Sequence, residues 1–350
     1  MLDDLKKIHE RDAQDALGIA EKEWQQLGHE FTIAPALSVR SIANVVYAGM
    51  GGSALAPLIV HTWPKLGKPF EIVRDYDIPA YVGPDTLFIA CSYSGNTEET
   101  VEALTQAEAA GAQIVVIAGG GKLAEIAKTK NFPLTLLPKV EQPRFAVFYN
   151  FKALVTIFTQ VGLLTRNMSE LTDLADILQT AAAQWVPTVP TKDNLAKQIA
   201  LECIGKSVVI YSGPKFYAAA YKWKIGFNES AKQIAWCNQF PEFNHNEFLG
   251  WSKQPEHKPY TVIDLRSSFE HERIQKRFIV TERLLSGMRP SPLVVEAVGE
   301  TPLAQLLWTI TLGDFVSVYT GILNGVNPSP VELVEKFKKV LSEEVSHENG

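Results

Sequence analysis

Cysteine is scarce in this 350-residue chain: Cys91, Cys203 and Cys237 are odd in number and far apart. A disulfide framework is thereby excluded, and reduced thiols in a reducing compartment are expected. A surplus of cations is also lacking, since 33 Lys+Arg stand against 39 Asp+Glu for a net charge of -6. Backbone binding to nucleic acid needs Lys and Arg in excess on one face, so no nucleic-acid partner is expected and any anionic ligand must be held locally. Apolar runs are short. The longest, around Leu303 to Val318, is interrupted by Gln305, Thr309, Thr311, Gly313 and Asp314. No segment is expected to supply the roughly 20 apolar residues of a membrane span. The charged, amphipathic start MLDDLKKIHERDAQDALG lacks the apolar core and cleavage site of a secretory signal, which makes the cytoplasm the expected location. No HExxH, CxxC or histidine cluster is present, so neither a metal nor another cofactor is expected.

What the chain does have is apolar surface enough to fold, with 46% hydrophobic and 10% aromatic residues. Its length favours two domains of about 150 to 180 residues. Residues 2–27 carry Leu2, Leu5, Ile8, Ala13, Leu17 and Ile19 at near-helical spacing and predict one helix. Thereafter short β-rich runs alternate with helical ones. Strands are expected at 44–48, 70–73, 86–91 and 113–117, and helices at 54–63, 98–110, 123–128 and 151–162. A Pro-rich connector at 186–192 precedes further strands at 207–213, 260–264 and 277–280 and a long helix at 303–321. A last helix at 330–341 is expected, with Ser329 as its N-cap and Pro330 as its first residue. Such alternation implies α/β architecture with parallel, doubly wound sheets covered on both faces. Strand-to-glycine-turn units in both halves suggest a weak internal duplication.

Two turns carry the chemistry. Gly49-Met-Gly-Gly-Ser-Ala54 fits GxGxxG/A after a strand, with Asp75 about 20 residues on, so a dinucleotide site and a ligand-free tight turn are both open. Ser92-Tyr-Ser-Gly-Asn-Thr97 places Ser92, Ser94 and Thr97 ahead of a helix N-terminus. Taken alone, such a turn is more often a cap. Paired with Gly52 and Ser53 on a neighbouring strand, its O–H and N–H donors suit a terminal phosphate monoester. Gly119-Gly-Gly-Lys122 is followed by Leu123 where a nucleotide-binding loop needs a hydroxyl, and is assigned to a loop before a helix.

The pair Gly49-Met-Gly-Gly-Ser-Ala and Ser92-Tyr-Ser-Gly-Asn-Thr-Glu-Glu-Thr resembles the sugar isomerase (SIS) domain, a parallel α-β-α sandwich that binds sugar phosphates. Pro143-Arg144, Asn228-Glu229-Ser-Ala-Lys232, Pro241-Glu-Phe-Asn-His245-Asn-Glu-Phe-Leu-Gly-Trp251 and Gly325-Val-Asn-Pro-Ser-Pro-Val-Glu follow in order. Together they resemble the bifunctional phosphoglucose/phosphomannose isomerases. That family usually has Asp where this chain has Asn327. The resemblance implies two SIS domains, here 1–160 and 161–350 with a C-terminal helix, and a cofactor-free aldose–ketose isomerase acting on hexose 6-phosphates through a cis-enediol. It also implies a homodimer with shared active sites.

Proton transfer between C1 and C2 needs a base, a ring-opening acid and a fixed cation. Glu229, in the apolar and amide-rich Ile225-Gly-Phe-Asn-Glu229, is the candidate base, expected to be desolvated. On its own it also reads as a solvated residue at a helix start. His245, between two asparagines and two residues from Glu247, is a neutral-pH proton shuttle. The resemblance implies that it acts on the ring oxygen from the neighbouring subunit. Arg144 is the candidate cation, with a surface salt bridge as its alternative. Lys338 is carried over from the resemblance, although Lys336, Lys338 and Lys339 form a cluster that reads as solvent-facing. His9, His29, His257, His271 and His347 read as surface residues, and His61 as packing. Two other classes stay in view: a non-catalytic sugar-phosphate-binding SIS regulatory module, and a nicotinamide-dependent oxidoreductase resting on the first turn alone.

Overall fold

The computed structural model describes residues 1–164, 169–253 and 259–348. His257 and the side chain of His347 lie outside what is described.

The predicted N-terminal helix is broken in two, α1 (Leu5–Arg11) and α2 (Ala16–Lys22), followed by a 3-10 turn at Glu23–Gly28. Asp12 is the cause. Its backbone N–H closes α1 on the Ile8 carbonyl, and its buried carboxylate accepts from the amides of Ala16 and Leu17 at 2.8 and 2.9 Å. Asp15 then takes a left-handed φ of 54° before α2.

The first sheet contains β1 (Ile33–Ala34), β2 (Asn44–Ala48), β3 (Phe70–Val73), β4 (Thr86–Ser92), β5 (Gln113–Ala118) and β6 (Leu134–Leu136), in the order β1-β6-β5-β4-β2-β3. All pairings are parallel except that of β1 with β6. Helices α3 (Leu55–Thr62), α4 (Glu98–Ala109), α5 (Gly121–Lys130) and α6 (Val147–Gln160) cover its faces. That is why all seven residues of β4 are buried and no alternation marks it. After β2 the chain steps to β3 on one side and then to β4 on the other. The carboxyl ends of β2 and β4 therefore flank the topological switch point, where α/β sheets place ligands.

The second unit contains α7 (Ser169–Ala182), α8 (Leu195–Cys203), β7 (Ser207–Ser212), α9 (Tyr217–Glu229), β8 (Ala235–Gln239), α10 (Glu247–Gly250), β9 (Tyr260–Arg266), α11 (Glu272–Leu284), β10 (Leu293–Glu296), α12 (Pro302–Asn324) and α13 (Glu332–Glu348). Its sheet is wholly parallel, ordered β10-β9-β7-β8. Chain order and spatial order match those of β5-β4-β2-β3. The duplication suspected in the sequence is thus present in topology.

Besides the broken N-terminal helix, three further expectations fail here. Residues 277–280 are not a strand but lie within α11: Ile274, Phe278 and Thr281 are buried at helical spacing while Ile279 is 62% exposed, and the three-residue apolar run Phe278–Val280 concealed that period. The last helix begins at Glu332, not Pro330, and Ser329 does not cap it. The carbonyls of Pro328, Ser329 and Pro330 accept from Arg144 and Lys232 instead, which holds the segment out of the helix. Finally, α12 spans 23 residues and is long and apolar enough to cross a membrane, contrary to the expectation from its polar interruptions. Its apolar window is 94% buried, because α12 packs against α7, α8 and α9 as the central core helix. The interrupting residues find partners inside: Asp314 pairs with Lys222, and Gln305 bonds Ser267.

Candidate active site

At the end of β4 the three predicted hydroxyls converge. Ser92 Oγ lies 2.7 Å from Thr97 Oγ1 and 3.4 Å from Ser94 Oγ, and it accepts from the Gly95 amide at 3.1 Å. Thr97 holds the N-cap position of α4, yet its side chain makes no capping bond. Across the switch point, Ser53 Oγ accepts from the Tyr93 amide at 3.2 Å and ties the two turns together. Gly95, at φ +72°, packs against the Gly120 carbonyl, where an added methyl would have no room. The Gly119–Gly121 run therefore buttresses the serine turn.

The equivalent place in the second unit is already filled. Glu270, buried beside Gly213, accepts from the Lys215 amide at 2.8 Å, so a carboxylate of the chain sits at the helix start after β7. Ser267 and Ser268, after β9, are both bonded to the side-chain amide of Gln305. Only the first turn leaves its hydroxyls to one another and to nearby amides.

Arg144 connects this turn to the second unit. It lies in a 3-10 turn at Pro143–Phe145, against Gly52, whose Cβ position would be 3.4 Å from the Arg144 Cα. Its side chain is 1% exposed, so the surface salt-bridge alternative does not apply. Nε donates to Ser230 Oγ at 3.0 Å, Nη1 to Glu229 Oε2 at 3.2 Å, and Nη2 to the carbonyls of Pro328 and Ser329 at 2.7 and 3.0 Å. Burial pulls the guanidinium below its ordinary value, and Glu229 opposes that.

Glu229 is placed differently from the expectation. It ends α9 instead of starting a helix, and its side chain is 35% exposed and faces a cation rather than an apolar pocket. Lys232, quoted in the sequence only as part of a motif, proves to be a strut: Nζ donates to the carbonyls of Glu229 (2.7 Å), Pro328 (3.1 Å) and Pro330 (2.7 Å). Partial burial, with Arg144 adding repulsion, brings its ammonium down to about 8. Ser230, likewise unremarked, is fully buried at the Arg144 Nε. A single sequence gives no signal for either role, because both depend on where Arg144 arrives.

Two predicted residues are not brought to this cluster within the chain. His245 is exposed on a 3-10 turn at Glu242–His245, with no hydrogen bond to Glu229 or Arg144 among the described residues. Lys338 lies on α13, 59% exposed and 3.0 Å from Glu335. Glu247 is no free base either, since it accepts from the Tyr211 hydroxyl and, at 2.7 Å, from Asn238 Nδ2. Asp75 accepts from the neighbouring Tyr76 amide in a local turn, which leaves the dinucleotide reading with the first turn alone.

Two SIS-type units, one with an open hydroxyl turn and the other lending a carboxylate, define a phosphosugar isomerase fold. Family models agree: a SIS domain matches residues 40–161, and the bacterial phospho-glucose isomerase C-terminal SIS domain matches 192–341. The chain belongs to the bifunctional phosphoglucose/phosphomannose isomerase family. Members so named from Caldicellulosiruptor bescii and Thermoplasma volcanium are each 35% identical to it, over 91% of this chain and 96% of the relative, and 85% and 91%, respectively. A D-glucosamine-6-phosphate 4-epimerase from Sulfolobus acidocaldarius is 32% identical over 66% of this chain and 71% of its own. Among solved structures, a glucose-6-phosphate isomerase like protein from Thermus thermophilus shares the fold with a TM-score of 0.66, at 18% identity over 97% of this chain and 99% of its own.

Lys232 gives a direct test of the site's electrostatics. With its value near 8, about half of it is neutral amine at pH 8, against well under 1% for an ordinary lysine. An acylating reagent at pH 8 is expected to modify Lys232 first, read by peptide mass spectrometry; equal labelling of exposed lysines would refute the shift. Because the folded value lies below that of the unfolded chain, the unfolded state binds more protons between about pH 8 and 10.4, so this group's contribution to stability rises with pH across that window.

Proposed function

We infer that the protein interconverts fructose 6-phosphate with glucose 6-phosphate and mannose 6-phosphate by proton transfer between C1 and C2. One observation carries the reading: a buried Arg144 holds Glu229 at 3.2 Å beside the hydroxyl turn, so that anion binding, base and cation meet at one switch point. A regulatory binder needs only the turn.

In this mechanism Gly52, Ser53, Ser92, Ser94 and Thr97 hold the phosphate with their hydroxyls and the amides at the start of α4. Glu229 takes the proton from one carbon and returns it to the other. Arg144, fixed by Ser230 and two carbonyls, balances the charge that develops on the enediolate oxygen. Its rigidity matters, because a preorganised cation needs no rearrangement as the charge appears. Rotation about C2–C3 lets the same base reach either epimer.

His245 opens the ring in the active site of a second copy. Its exposure here supports this, as does the apolar surface beside it, with Leu249 73% and Trp236 52% exposed. Lys338 enters by the same assembly, since its helix leaves Leu333 80% and Phe337 64% exposed. The two units divide at 160/161, and the free thiols Cys91, Cys203 and Cys237 suit the cytoplasm. The epimerase relative favours one alternative substrate, glucosamine 6-phosphate, which belongs in the same assay.

A coupled assay with fructose 6-phosphate, following both aldose phosphates, tests the reading; turnover of glucosamine 6-phosphate alone would replace it. Ser94→Ala should raise KM for fructose 6-phosphate by about tenfold, the effect of one lost bond to a charged group, and an unchanged KM would move the phosphate elsewhere. Glu229→Gln should lower kcat at least about a hundredfold for both epimers with little change in KM. Solvent deuterium entering C2 at the wild-type rate in that variant would exclude Glu229 as the base. Mixing inactive Glu229→Gln and His245→Ala subunits should restore about a quarter of wild-type activity, from one intact site in each two-fold heterodimer. No recovery after verified subunit exchange would show that each site is built from one chain.

A further inference from the structure

The bonds from the Arg144 side chain all run to the second unit, which leaves open what holds its backbone. Helix α6, which follows it, starts from Ala146, a residue with no side-chain oxygen to satisfy the amides of the first turn. Gln26, from the 3-10 turn after α2, supplies that cap from 123 residues away. It is buried, accepts from the Tyr149 amide at 2.9 Å, and donates through Nε2 to the Phe145 carbonyl at 2.6 Å. One side chain thus pins both the end of the Arg144 turn and the start of α6.

The same N-terminal segment holds the opposite wall. Gln14 Oε1 accepts from Asn327 Nδ2 at 2.8 Å, and Asn327 Oδ1 accepts from the Ser329 amide at 3.1 Å. That fixes the segment whose carbonyls receive Arg144 Nη2. Arg11 bonds the Ile322 carbonyl near the end of α12. Between the walls, Glu23 is buried near Asp314 and Lys222, and the Lys222 ammonium lies 5.5 Å from the Phe145 ring, over which Arg144 also sits at 5.0 Å. Burial and the Asp314 charge push the Glu23 carboxyl well up, toward its neutral form.

We propose that the N-terminal segment is a clamp for Arg144, and that Gln26 and Gln14 are positioning residues for the isomerisation, acting through the guanidinium without touching substrate. This rests on the functional reading above, in which Arg144 meets the enediolate. Asn327 joins the two, donating to Gln14 while its oxygen accepts from the Ser329 amide.

The test uses Gln26→Met, which keeps length and removes both bonds. Arginine Nε–H exchange in the full-length protein, read by 15N NMR with Arg144→Lys to assign the signal, reports on the clamp whether or not the protein turns over sugar. Exchange at Arg144 should quicken about tenfold or more as the turn loosens locally, and an unchanged rate overturns the proposal. In the assay, kcat should fall about tenfold or more while KM for fructose 6-phosphate changes less than about twofold, as expected of a displaced catalytic group. That loss should disappear in an Arg144→Lys background, because there is no guanidinium left to place. Independent, multiplying effects in the double variant also overturn it. A wild type without isomerase activity would refute the functional reading while the exchange measurement still decided the clamp. Should Gln26→Met fail to fold, Gln14→Leu, at an exposed position, carries the same measurements with the same outcomes.

Discussion

A guanidinium sealed from water is the constraint around which this molecule is arranged. A buried charge is costly unless paired and hydrogen-bonded, and Arg144, 1% exposed, belongs to a loop of the first unit that cannot satisfy it. Every hydrogen-bond partner of its side chain comes from residues 229–230 or 328–329. Arg144 thereby ties the two units, which also share one continuous hydrophobic core. Separating them would leave a cation and the Ser329 carbonyl without these bonds.

The second consequence concerns shape at the switch point. Gly52 lets the loop of Arg144 approach the first turn, and Gly95 lets the serine turn rest on the 119–121 run. The cation is thereby brought beside a cluster of hydroxyls rather than left behind the sheet. Lys232 plays the complementary part on the far side, binding the end of α9 to the 328–330 segment. Its partly buried ammonium adds a second positive charge to the neighbourhood of Arg144.

The α/β class, the parallel sheets and the serine turn were legible in the sequence because each depends on local composition: β-branched runs, glycines at turns, and hydroxyls before a helix. Glu229 and Arg144 were legible singly, through motifs, but not as a pair, since 85 residues separate them. The caps were harder still. Asp12 splits the first helix through its side chain, which periodicity does not register, and Gln26 caps a helix to which it is not adjacent. Residues 277–280 read as a strand because three consecutive apolar residues, Phe278 to Val280, do not distinguish a period of 2 from one of 3.6. His245 and Lys338 make no hydrogen bond to Glu229 among the described residues, so their motifs did not reveal their place.

Glu270 gives the two halves different lives. In the first unit the serine turn presents hydroxyls that bond one another and a nearby amide. The second unit carries its anion covalently, as a side chain seated on the amide at the start of the helix after β7, and it never empties. The duplication is thus broken by one side chain: Glu270 closes in the second half the kind of place that the serine turn leaves to hydroxyls and amides in the first.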